Sequence, residues 1–236
     1  MALPKLNESL KYEMSIPSNG KVITYRPYLV KEEKILLQAM ESQDQKLAMR
    51  AMVDTVISCV YEDIKSSDLK TFDVEYMFTQ IRAKSVGEKA ELTGKCKVEG
   101  CEGSGEFEID LTTIKMDEPS KNKIIQLTDD ISIELDYPTY DDFVLSYQDG
   151  MSESQFGMIM VESCVKAILS QDERYDTSDV SKAELKDFIE SMTTKQFERV
   201  GEFLKTAPSL KTDVEYTCDV CGSNNKLTLE GLQDFF

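Results

Sequence analysis

Two close cysteine pairs constrain this chain more than any other feature. They are Cys96-Lys-Val-Glu-Gly-Cys101 and Cys218-Asp-Val-Cys221, and they stand 117 residues apart in a sequence of 236. Each pair interrupts two strand-like runs, Ala90 to Lys95 and Glu106 to Leu111 around the first, Asp213 to Thr217 and Lys226 to Glu230 around the second. A cysteine pair at the tip of a hairpin is half of a zinc-ribbon ligand set, and two such hairpins together close a tetrahedral thiolate site. Gly222 and the Glu102-Gly103 step suit the tight turns that close ligand spacing forces. The expectation is one structural zinc on Cys96, Cys101, Cys218 and Cys221. Disulfides are the weaker alternative in a reducing compartment, and metal-free thiols are a third. Cys59 and Cys164 differ, because each lies in an apolar helical run, 51–61 and 156–169, where a free cysteine packs as a small hydrophobe.

Composition removes whole classes of chemistry. There is no histidine, hence no Ser-His-Asp triad, no Cys-His pair and no mixed Cys-His finger. Neither a phosphate-binding GxxxxGK[ST] loop nor GxGxxG occurs. With 27 basic against 44 acidic residues the net charge is −17, the wrong sign for gripping a phosphate backbone. No apolar run approaches the roughly 18 to 20 residues that span a bilayer. The opening MALPKLNESLKYE lacks the apolar stretch of a signal peptide, so a soluble, cytoplasmic, non-enzymatic protein is expected.

The fold class read from the pattern is α+β, with two diverged pseudo-repeats. Ser58-Cys59-Val60 recurs as Ser163-Cys164-Val165, and Val22 to Tyr28 with its Pro27 parallels Ile133 to Thr139 with Pro138. Phe72 and Phe78 correspond to Phe197 and Phe203, after which each copy reaches a cysteine hairpin. Chance likeness of helical patterns is the alternative. On the first reading the chain divides into an N-terminal arm (1–20), a first repeat (21–115), a connector (116–130) and a second repeat (131–236), with zinc joining the halves. Ser152 to Gln155 and Ser181 to Glu184 fit capping boxes. Leu185, Phe188, Ile189 and Met192 then form one helical stripe, and a further helix carries Phe197, Val200, Phe203 and Leu204 up to Pro208. In the first half the helical run 31–61 carries Ile35, Leu36, Met40 and Leu47 and then Met52, Val56, Ile57 and Val60, and the many methionines read as core filling rather than a binding groove.

Four segments carry a resemblance. Leu3-Pro4-Lys5-Leu6, Tyr25-Arg26-Pro27-Tyr28-Leu29-Val30-Lys31-Glu32-Glu33-Lys34, Ile81-Arg82-Ala83-Lys84-Ser85-Val86-Gly87-Glu88 and the ending Leu229 to Phe236 resemble the baseplate hub assembly proteins of T4-like contractile-tailed phages. The resemblance runs over nearly the whole chain. It implies a viral protein made in the host cytoplasm that helps build the hub of the tail baseplate, as an assembly factor (a chaperone) or as a hub component within the virion. Phage hub and tail proteins are then the implied partners, with neither nucleic acid nor membrane. Arg26, Tyr28 and Arg82, taken as exposed, are the candidate partner contacts, since Arg and Tyr favour interface cores. The runner-up is a zinc-ribbon module that binds nucleic acid. Against it stand the acids around the knuckles, among them Glu99, Glu102, Glu106, Asp213 and Asp219.

Overall fold

A computed structural model describes residues 10–235 apart from 149 and 172. The Leu3-Pro4-Lys5-Leu6 motif, the first nine residues of the expected arm and the final Phe236 lie outside the described residues. In chain order, β1 (Tyr12–Ser15) and β2 (Val22–Tyr25) form a hairpin, followed by α1 (Val30–Glu41) and α2 (Gln45–Cys59). A 3-10 turn at Ser66–Asp68 leads into α3 (Thr71–Ser85), then β3 (Lys89–Lys95), β4 (Ser104–Asp110) and β5 (Lys115–Met116). Next come β6 (Ile124–Gln126), β7 (Ile131–Leu135), α4 (Tyr140–Ser146), α5 (Glu153–Cys164), β8 (Val165–Ser170) and β9 (Glu173–Asp176). The chain ends with α6 (Lys182–Glu190), α7 (Thr194–Lys205), β10 (Leu210–Thr217), β11 (Asn224–Glu230) and a 3-10 turn at Leu232–Phe235. The α+β class is as expected.

Local chemistry sets several boundaries. Ser152 and Ser181 cap α5 and α6: each hydroxyl accepts from the amide three residues on, and Gln155 or Glu184 reaches back to the cap amide. Thr193 and Gln196 do the same for α7. Met192 falls past the end of α6. The apolar run 156–169 does not stay helical. It leaves α5 at Cys164 and becomes β8, which pairs with β7 on one side and β9 on the other. A short run rich in Val and Ile satisfies both periodicities, so the waiting strand partners decide. The second departure is α1. Met40, expected as core filling, is 69% exposed, and Ile35 and Leu47 of the same run are 52% and 46% exposed. The inward residues of α1 are instead Glu32 and Ala39. Glu32 turns inward because it accepts from Arg26 (2.9 Å) and from the Leu29 amide (2.8 Å), which satisfies a carboxylate that burial would otherwise penalise.

The contacts divide the chain into two compact units. The first takes residues up to Lys65, Phe72–Asp117 and from Pro208 on; the second takes Ser66–Thr71 and Glu118–Ala207. This division follows contacts and does not coincide with the halves 21–115 and 131–236. In the first unit, Ala83, Ala90, Ile109, Leu111, Ile114, Leu210, Leu229 and Phe235 form a buried cluster beneath two hairpins. The second unit is built on the sheet β6-β7-β8-β9 with α4 to α7. There Tyr137 stacks on Phe203 at 4.7 Å between centroids, and its hydroxyl donates to the Thr206 carbonyl at 3.0 Å. Cys59 and Cys164 are buried, as expected, each the last residue of its helix.

Candidate metal centre

The centre is made by two antiparallel hairpins of the first unit. Along β3-β4 and β10-β11 burial alternates with period two, so one face of each hairpin turns inward and the other carries charge. The inward faces meet. Phe107 stacks on Tyr216 at 5.2 Å, and the Tyr216 hydroxyl donates to the Lys95 carbonyl at 2.5 Å. The Asp219 amide donates to the Ser104 carbonyl at 2.8 Å, tying the second knuckle to the strand after the first. Asn225, buried at an inward position of β11, accepts from the Lys97 amide at 2.9 Å and donates to the Ser223 carbonyl at 3.0 Å. It thereby links the backbones of both knuckles. Gly103 allows the contact: a Cβ there would stand 2.6 Å from Cys218 Sγ and 2.8 Å from Val220 Cβ. Gly222 has φ +72°, the left-handed torsion that its turn demands.

The result is that all four predicted ligands converge, with their sulfurs within 4.8 Å of one another. Cys96 Sγ lies 3.6 Å from Cys221 Sγ, and Cys101 Sγ lies 3.8 Å from Cys218 Sγ. These are far longer than the roughly 2.05 Å of a disulfide, and all four are free thiols. They match the edge of a thiolate tetrahedron instead, because a metal–sulfur bond of about 2.3 Å gives sulfur–sulfur edges of about 3.8 Å. The Val98 amide donates to Cys96 Sγ at 3.5 Å. Cys218 is buried, Cys96 and Cys101 are half-buried, and Cys221 is exposed at the rim.

Two of the thiols, Cys221 and Cys101, are shifted in opposite directions. Hydrogen bonding from the Ser223 hydroxyl and amide pulls Cys221 down to about 6. At Cys101 the Gly103 backbone acts in the same direction, but its contact with Cys221, then burial and the other two sulfurs outweigh it and push it up to about 12. A thiolate therefore forms easily at Cys221 and is opposed at Cys101 by the sulfurs beside it. A divalent cation removes that opposition, which is why thiolate sites gather protons when empty and release them on loading.

The other predicted residues have a different place. Arg26, Tyr28 and Arg82 are half-buried rather than exposed. The Arg26 guanidinium donates to Glu32, to the Ser58 carbonyl at 3.0 Å and to the Pro27 carbonyl at 2.9 Å, so it fastens the start of α1 to the end of α2. The Tyr28 amide donates to Ser85 Oγ at 2.9 Å. Asn225 escaped the sequence reading, although one polar residue among the inward positions Asn225, Leu227 and Leu229 was a visible signal.

Among the described residues no helix is long and apolar enough to cross a membrane. No curated protein and no solved structure matches the chain. A family described as "T4 bacteriophage base plate protein" does match, over residues 9–236. The hairpins, the knuckles and all the described residues fall within that span, and the chain belongs to this family of phage base plate proteins.

Proposed function

We propose that this chain is a non-enzymatic assembly protein of the tail baseplate hub, an assembly factor or a hub part, that holds one structural zinc and works by binding other baseplate proteins. The observation that carries this reading is the family match along nearly the whole chain. Zinc is the ion that the donor set favours: four thiolates, tetrahedral spacing and no position left for water describe a closed structural site. Synthesis in the host cytoplasm follows from the same reading. The −17 charge supports protein rather than nucleic-acid partners, since like charge repels phosphate.

The two halves read as diverged copies, and equivalent contacts support that ancestry. The Arg26 amide donates to the Cys59 carbonyl at 2.9 Å and the Asp136 amide to the Cys164 carbonyl at 2.8 Å. Glu32 reaches back to the Leu29 amide at the start of α1, as Asp142 does to Thr139 at the start of α4. The Cys96 amide donates to the Gly103 carbonyl and the Cys218 amide to the Ser223 carbonyl, closing the two knuckles alike.

Two measurements test the function. Metal analysis of protein purified without chelator should return about one zinc per chain, and Cys221→Ser should lose it. Deleting the gene from the phage should leave infected cells without finished baseplates. Metal-free thiols would sink the zinc, and normal baseplates in the deletion would sink the assembly role.

A further inference from the structure

The knuckles end in side chains that the metal does not need. Val98 and Val220 each stand two residues after the first cysteine of their pair, and they are 45% and 76% exposed. Both are β-branched side chains with few rotamers, set on short loops, so holding them in place on binding costs little entropy. The interleaved sulfurs put the two loops around one centre, and Val220 lies over Gly103 of the other knuckle. Both knuckles thus end in an exposed valine on a short loop.

The charge around them is also unspent. On the strands below, Glu108 pairs with Lys89, Glu215 with Lys226 and Glu230 with Lys211. Glu99, Glu102 and Asp219 on the tips engage no cation among the described residues. The tips' own cation, Lys97, bends back and donates to the Lys226 carbonyl at 2.5 Å. A loaded centre adds about two further negative charges, four thiolates against one divalent ion. The two knuckles therefore carry exposed valines beside, in sequence, acids that engage no cation among the described residues.

We propose that Val98 and Val220 dock into an apolar pocket rimmed by Lys or Arg on another baseplate protein, with Glu99, Glu102 and Asp219 meeting that rim. The proposal rests on the baseplate-assembly reading above and names the surface that carries it. A second copy of this chain is disfavoured as occupant, because it would bring the same acids to the contact.

The full chain is co-expressed with each of the phage's other baseplate proteins in turn, as wild type, as Val98→Ser/Val220→Ser and as Glu99→Lys/Glu102→Lys/Asp219→Lys. Zinc content and affinity are measured for every complex. The wild type should form a defined complex with one of them, weakened by added salt, and both variants should bind it about tenfold or more weakly at unchanged zinc content. If the serine variant loses zinc, the lysine variant decides, since it leaves the valines in place. Undiminished binding by the zinc-loaded variants overturns the docking surface and leaves the baseplate reading standing. A wild type that binds none of these proteins overturns both. Self-association abolished by the serine changes, or duplex DNA binding at physiological salt, overturns the proposal by naming a different occupant.

Discussion

Glu75 on α3 shows what a single residue can cost. Burial raises its carboxyl from 4.5 to about 7, and no cation among the described residues offsets it. The folded state thus binds its proton more tightly than the unfolded chain does. The stability it contributes is complete below about pH 4.5 and is lost as pH rises through about 7. Glu75→Gln should therefore raise stability at pH 8 by about 3 kcal/mol, at about 1.4 kcal/mol per unit of pKa. It should do nothing measurable at pH 4. Urea midpoints at the two pH values check this, and an equal effect at both would contradict it. Gly103 makes the opposite point. Its missing Cβ is the space into which Cys218 and Val220 fit, so Gly103→Ala should lower zinc occupancy while leaving the far end of the hairpins intact. The cysteines were legible as ligands because thiol pairs at hairpin spacing have few other uses. Asn225 and Gly103 were harder to read, because a linking amide and an absent methyl become visible only when two hairpins face each other.

At the scale of elements, capping chemistry was readable and pairing was not. Ser181 and Glu184 are three residues apart in any conformation, so their reciprocal bonds could be read before the helix existed. Ser181→Ala should cost about 1 kcal/mol and raise amide exchange in the first turn of α6. Unchanged exchange there would mean that the cap is idle. The run 156–169 hid a strand because apolar periodicity alone cannot separate a short helix from a buried strand, and β7 settles it from outside the run. The exposure of Ile35, Met40 and Leu47 was hidden for a related reason. An amphipathic stripe tells which residues share a side, whereas the side that turns inward was chosen by the buried Glu32 and its partner Arg26. Arg26→Ala should destabilise the first unit, because the buried Glu32 carboxylate would keep only the Leu29 amide and the exposed Lys31 ammonium at 3.2 Å.

At the scale of the whole chain, the four sulfurs proposed to hold the metal lie inside one compact unit. The four cysteines bring together the sequence halves 21–115 and 131–236, and by contacts both knuckles belong to the first unit, while residues 118–207 of the second are strung between them in the chain. The centre closes a loop 117 residues long, and loop-closure entropy grows only slowly with length, so the inserted unit adds little to the cost of closure. Ligand thiolates also rarely stay together in an unfolded chain, so metal affinity adds to folding stability. The first unit's core of Ala90, Ile109, Leu111, Leu210, Leu229 and Phe235 lies on and beside the two hairpins that the metal joins. The second unit buries its own core, with Ile133, Leu135, Tyr137, Cys164 and Phe203 among it. Stripping zinc with a chelator should therefore lower the melting temperature and speed hydrogen exchange in β3, β4, β10 and β11. Exchange in β7, β8 and α7 should change much less. Equal loss of protection in both sets would mean that the metal holds the whole molecule together, and no change in either would mean that the four sulfurs need no ion to stay where they are.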